Sequence, residues 1–178
     1  MKDEIAIRWM LRQDVDRMLD IERKVYENPW DEDDFLMALQ QRKCIGHVAE
    51  PRSTGSFNGI VQPQQVVGHV VYEMHRGGIE ITRLTVAYDA QGQGVGAALL
   101  SKLKGRIRVH GRRSTILMVL HESALDGQLF LASQGFQAVD VLRDYYEDGS
   151  DAYCMLWADD SKADAPPFEG ANRVAAYL

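Results

Sequence analysis

Closely spaced glycines ahead of an apolar helical pattern make Gln91-Gly92-Gln93-Gly94-Val95-Gly96-Ala97 a segment equipped for chemistry. Glycine takes up positive φ without a Cβ clash and leaves no side chain between the backbone and a ligand. Successive N–H groups then converge, and the start of the following helix adds its dipole, so the loop suits an anion such as a pyrophosphate. Gly92, Gly94 and Ala97 also satisfy the dinucleotide fingerprint G-x-G-x-x-G/A. A doubly wound unit, however, needs an acidic residue about 20 residues further on, at the end of the next strand. The apolar run at 114–120 contains no acid. A nicotinamide dinucleotide is excluded.

Glu80 is the second chemical candidate, alone in the apolar and Thr-rich run Ile79-Glu80-Ile81-Thr82. Desolvation of a carboxylate on a semi-buried strand raises its pKa and suits it to be a base. As a solvent-facing residue beside the Gly77-Gly78 turn it would need no function, and both readings stay open. His121 and Glu122 read as a strand-end residue and an acid at a helix N-terminus. The five histidines have no metal-ligand spacing, so no metal is expected. Cys44 and Cys154 sit far apart in apolar patterns, which suits reduced thiols and a cytoplasmic protein. A net charge of −6 disfavours nucleic-acid binding. The basic run Lys102, Lys104, Arg106, Arg108, Arg112 and Arg113 reads as a solvated helix face and loop. No apolar stretch approaches the roughly 18 residues of a membrane helix, and no secretory signal core follows Met1, so neither membrane nor export is expected.

These groups must be positioned by one sheet. Residues 5–9 alternate as a strand, and Asp14 is placed to cap a helix with Val15, Met18, Leu19 and Val25 on one stripe. Asn28-Pro29 breaks it, and Asp31 with Asp34 opens a second helix through Gln41. Strands are expected at 45–50 and 66–75, separated by a Gly/Ser/Pro/Gln-rich loop or hairpin tip at 51–64. Arg76-Gly77-Gly78 turns the chain into a strand at 79–86. A helix runs from the glycine loop to Val109, followed by a strand at 114–120 buried on both faces. Another helix, 123–134, stops at Gly135, and strands at 136–143 and 152–157 flank an acidic turn. The expected fold is a single α/β domain over 1–157, a mixed sheet of about seven strands with an antiparallel N-terminal half and a right-handed crossover. Helices cover both faces. Residues 158–178 read as a tail docked on the surface or on a partner through Phe168, Val174, Tyr177 and Leu178.

Gln91, Gly94 and Gly96 occupy the defining positions of Q/R-x-x-G-x-G/A, and the chain resembles the GNAT acetyltransferases, in particular the RimI-type alanine N-acetyltransferases of bacterial ribosomal proteins. The resemblance runs through Ile21-Glu22-Arg23, Pro29-Trp30-x-Glu32-x-x-Phe35 and Gly94-Val95-Gly96-x-Ala98-Leu99-Leu100. It continues at Gly135-Phe136, Arg143-Asp144-Tyr145-Tyr146 and Asp148-Gly149-x-Asp151-Ala152, spanning residues 5–157. It implies acetyl-CoA as cosubstrate. Leu84-Thr85-Val86 would pair with the pantetheine amides like a sheet neighbour, and Gln91 to Ala97 would hold the phosphates. Tyr26 and Asn28, with Trp30 as a core anchor or contact, would form one lip of the acceptor slot. The amine would attack the thioester directly, with positioning and oxyanion stabilisation supplying much of the rate.

The resemblance also places a catalytic Glu at Val119, a Tyr general acid at Leu131 and an Asn at Ala124, and this chain has none of the three. Glu80 stands where the histone-acetyltransferase branch carries its Glu. Tyr145 and Tyr146 would protonate the departing thiolate or shape the slot; as strand aromatics they need no function. An α-amine with a pKa near ~7.8 is about one quarter neutral at pH 7.4, a lysine at ~10.4 only about 0.1%. A weakened base therefore favours a peptide N-terminus or another low-pKa small amine as partner. A homodimer stays open, as does a domain that only senses acetyl-CoA.

Overall fold

The computed structural model describes residues 5–52, 56–57, 60–61, 65–109 and 114–159. From residue 160 onward the expected tail lies outside the described residues. Seven strands form one mixed sheet among the described residues, in the order β1-β2-β5-β6-β7-β9-β8. They are β1 (Ile5–Trp9), β2 (Cys44–Pro51), β5 (Gly68–Met74), β6 (Gly78–Val86), β7 (Thr115–His121), β8 (Gln137–Leu142) and β9 (Ala152–Ala158). Between β2 and β5, β3 (Ser56–Phe57) and β4 (Ile60–Val61) pair antiparallel, the hairpin tip expected there. The helices are α1 (Val15–Val25), α2 (Glu32–Gln40), α3 (Val95–Val109) and α4 (Leu125–Ser133). No helix among the described residues is long and apolar enough to cross a membrane.

The chain divides into two compact units, Met1–Tyr72 with Arg83–Lys102, and Glu73–Thr82 with Leu103–Leu178. In the first, β1 pairs antiparallel with β2 from Ile5↔Pro51 to Trp9↔His47. The α1 stripe buries Val15, Met18, Leu19 and Ile21 alongside Phe35 of α2. Each such side chain contributes roughly 1.5–3 kcal/mol on leaving water. Asp31 and Asp34 form the expected capping box of α2, exchanging bonds of 2.9 and 3.0 Å with each other's N–H. Asp14 does not cap α1. Its carboxylate turns back to the Leu11 N–H at 2.8 Å and to Arg8 at 2.7 Å, because a charged donor outbids the helix amides.

In the second unit, β7 is the organising strand. It pairs parallel with β6 over Gly78↔Thr115 to Ile81↔Met118 and antiparallel with β9 over Thr115↔Ala158 to His121↔Ala152. Only Ile116, Leu117 and Met118 of β7 are buried; the residues from Val119 to His121 are partly exposed, unlike the fully buried strand expected. The sheet therefore opens one end of β7 to solvent. Gly135, at φ 83°, ends α4 as expected. Val139 bulges out of β8 and is exposed.

Candidate functional site

The glycine loop belongs to the first unit. Gly92 and Gly94 sit at φ 70° and 92°, and a Cβ at either would meet nothing within 4 Å, so the face of the loop is open. The Gln91 side chain donates to the Val86 carbonyl at 3.0 Å and that of Gln93 to the Asp89 carbonyl at 2.6 Å. Both glutamines brace the loop. The first internal bond of α3 is Ala98 N–H to Gly94 O, at 2.9 Å. Among the described residues no backbone acceptor takes the N–H of Gly92, Gln93, Gly94, Val95, Gly96 or Ala97. Unused donors of this kind at the positive end of a helix suit an anion.

Leu84, Thr85 and Val86 lead into this loop, and Tyr26 and Asn28 lie close by in the same unit. The Tyr26 hydroxyl donates to the Leu84 carbonyl at 2.8 Å, and the Asn28 carbonyl accepts from Arg83 at 3.1 Å. The polar group of Tyr26 expected at an acceptor lip is thus spent on the strand itself. Sequence reasoning missed the centre of this arrangement, Glu22. Its carboxylate is fully buried and accepts from His69 Nε2 at 3.0 Å, Thr85 Oγ1 at 2.5 Å and Arg83 Nε at 2.8 Å. Burial alone would raise its pKa, but the bonds from His69, Arg83 and Thr85 and the Arg83 charge hold it at about 2. Burial lowers the pKa of His69, so its neutral ring donates. The Arg83 guanidinium lies 3.7 Å from the Tyr26 ring centre. Trp30 packs edge-on against Phe35, a core anchor.

Glu80, Tyr145 and Tyr146 come together in the second unit. In the ladders Glu80 stands beside Leu117, and Val119 beside Cys154, which in turn lies beside Asp140. Glu80, Leu117, Val119 and Cys154 therefore share a sheet face, lined by a small apolar cluster that includes Tyr146. The Glu80 carboxylate is about one third exposed and lies 3.2 Å from His75 Nε2. Burial, then the neighbouring Glu80 and Cys154, raises the Tyr145 phenol, and burial raises Tyr146. Both stay protonated at neutral pH. Burial, Asp140 and Glu80 push the Cys154 thiol up to about 11.

The turn carrying both tyrosines is braced rather than loose. Asp144, at φ 50°, gives its N–H to Asp151 at 3.0 Å, and Arg143 pairs with the same carboxylate. His121 Nδ1 accepts from Ser123 N–H at 3.1 Å, which places its proton on Nε2, 2.7 Å from Ser150 Oγ. With both nitrogens engaged, His121 holds the turn and is not a free base. Leu131, where the resemblance puts a tyrosine, is buried at 1% exposure. Among the described residues no group of His, Cys, Asp or Glu is arranged to hold a metal ion.

Residues 53–158 match the acetyltransferase (GNAT) domain family, the stretch holding both the open loop and the Glu80 face. The chain belongs to the GNAT acetyltransferases. It is an acyl-CoA-dependent N-acyltransferase. This GNAT protein is 27% identical over 152 residues to the uncharacterized N-acetyltransferase MJ1530 of Methanocaldococcus jannaschii, covering 85% of this chain and 90% of that one. Its fold is shared with the ribosomal-protein-S18-alanine N-acetyltransferase of Escherichia coli, with TM-score 0.70 at 22% identity over 87% and 94% of the two chains. NAA60 of Arabidopsis thaliana in complex with acetyl-CoA superposes with TM-score 0.73 at 14% identity over 88% and 100%.

Proposed function

We propose that the protein moves an acetyl group from acetyl-CoA to a protein N-terminal α-amine. The observation that carries the cosubstrate is the set of unused N–H groups from Gly92 to Ala97, which suits the pyrophosphate, with Leu84 to Val86 offering backbone to the pantetheine amides. The neutral amine attacks the thioester carbonyl, the C–N bond forms and the C–S bond breaks. The proton lost by the amine passes to Glu80, directly or through water, and the thiolate takes a proton from Tyr145 or Tyr146. The Glu80 carboxylate is about one third exposed and so within reach of water, and an acceptor amine that is already partly neutral asks least of such a group. The Escherichia coli enzyme sharing the fold is by its name an N-acetyltransferase of an alanine of ribosomal protein S18, which supports a protein acceptor.

The test is thiol release from acetyl-CoA against peptides of varied N-terminal residue, free lysine, polyamines and aminoglycosides, with Gly94→Glu as control. The new carboxylate would occupy the phosphate position, so acetyl-CoA affinity should fall more than about 100-fold, while circular dichroism stays that of the wild type. Turnover on polyamines but on no peptide would replace the peptide acceptor with a small amine. The buried Leu131 and the apolar Val119 favour a second reading, a domain that binds acetyl-CoA without transferring it. Slow thioester hydrolysis unaffected by any amine would select it.

A further inference from the structure

We infer that Tyr26 and Arg83 are positioning residues for acetyl-CoA: anchored on Glu22, they pin the peptide unit between Leu84 and Thr85 and so set the strand that receives the pantetheine arm. The inference rests on the reading above of Leu84 to Val86 as pantetheine-pairing backbone.

Both oxygens of Glu22 are filled, by His69 and Thr85 on one side and by Arg83 and the Trp30 N–H, at 3.3 Å, on the other. A buried carboxylate with no free acceptor capacity has no part in proton traffic; what it fixes is geometry. Arg83 spends Nε and Nη2 on this carboxylate and Nη2 again on the Asn28 carbonyl. A planar guanidinium held through Nε and Nη2 by two partners has one orientation, and its face then fixes the Tyr26 ring at 3.7 Å. Burial raises the Tyr26 phenol, which remains a donor to the Leu84 carbonyl at 2.8 Å.

The Leu84 carbonyl and the Thr85 N–H belong to one planar trans unit and point opposite ways, so turning one turns the other through the same angle. Tyr26 holds this unit by its oxygen, and Glu22 holds the residue that follows by the Thr85 hydroxyl. An extended ligand with two amides reads such a strand through the direction of its N–H and C=O groups, and these bonds weaken steeply below about 120°. Freed of the phenol, the unit has a range of tilts, and only a fraction of them suit the ligand.

Tyr26→Phe removes the hydroxyl and keeps the ring under Arg83; Arg83→Lys keeps the charge and loses the fork. Titration calorimetry well below the melting temperature compares acetyl-CoA with adenosine 3′,5′-bisphosphate, which lacks the pantetheine arm. Tyr26→Phe is expected to weaken acetyl-CoA binding about 3- to 10-fold, the worth of one hydrogen bond, with the bisphosphate unchanged. Arg83→Lys should follow the same pattern more strongly. If the wild type binds acetyl-CoA and Tyr26→Phe binds it equally well, the positioning role is wrong although the cosubstrate is right. Equal weakening of both ligands would likewise overturn it, as a general loosening of the fold. A wild type that binds no acetyl-CoA would remove the cosubstrate reading and this inference together.

Discussion

Glu22 is fully buried and accepts from His69, Thr85, Trp30 and twice from Arg83, whereas Glu80 is about one third exposed and has His75 at 3.2 Å and a phenol nearby. The first carboxylate is saturated and held ionised down to about pH 2. The second keeps lone pairs free and is reached by water. A saturated carboxylate can only hold atoms in place; an unsaturated one can exchange a proton with a substrate. The chemical group is the same, and the number of donors aimed at it decides its use.

The contrast breaks most visibly in stability. Glu22→Ala leaves Arg83 partly buried without its counter-charge and should cost about 3–5 kcal/mol in urea denaturation. Glu80→Ala should stay within about 0.5 kcal/mol. Equal losses from the two would show that Glu80 is also structural. Acid gives the next effect. The Glu22 pKa is lower in the folded protein than the ordinary 4.5, so its contribution is complete above that pH and is lost as pH falls through about 2. The shift corresponds to about 3 kcal/mol, and the urea midpoint of the wild type should fall between about pH 5 and pH 2 more steeply than that of Glu22→Ala.

Activity tests the other side. Glu80→Gln should lower turnover at pH 7 about 10²-fold with acetyl-CoA affinity unchanged. On an α-amine acceptor the deficit should shrink as pH rises through roughly 8 to 9, where solvent removes the proton unaided. A deficit that persists to higher pH would indicate a lysine-like acceptor. The smallest expected effect is a rescue. Val119 shares the sheet face of Glu80, so Val119→Glu in the Glu80→Gln protein should restore about tenfold of the lost turnover. No restoration would mean that the two positions do not serve one proton path.

Local physics made part of this readable from the chain alone. The Gly92 and Gly94 conformations and the Asp31–Asp34 box depend on residues a few positions apart, and both appear as expected. The succession of strands and helices along the chain followed from the alternation of apolar runs and turns. Glu22 was not found, because its partners His69, Arg83 and Thr85 lie 47 to 63 residues away. A signal was present nonetheless: position 22 falls four after Met18 and three before Val25, on the buried stripe of α1. A Glu on an apolar stripe asks for a partner. The Asp14 cap failed for a related reason, since Arg8 comes from the preceding strand and competes for the same carboxylate. Tyr26 was expected at the lip of the acceptor slot through the family resemblance, and its phenol serves the Leu84 carbonyl.

The unpaired amides from Gly92 to Ala97 also carry a kinetic signature. A main-chain N–H without an intramolecular acceptor surrenders its hydrogen to solvent without waiting for any local opening. In the ligand-free protein the exposed positions among them, Gly92 to Gly94, should take up deuterium at nearly the rate of an unstructured peptide, although the helix that follows buries Leu99, Leu100, Leu103 and Ile107. A bound pyrophosphate would occupy the donors and slow their exchange. The loop is thus its own label, and its occupancy can be followed in a crowded mixture without attaching a probe or altering a residue.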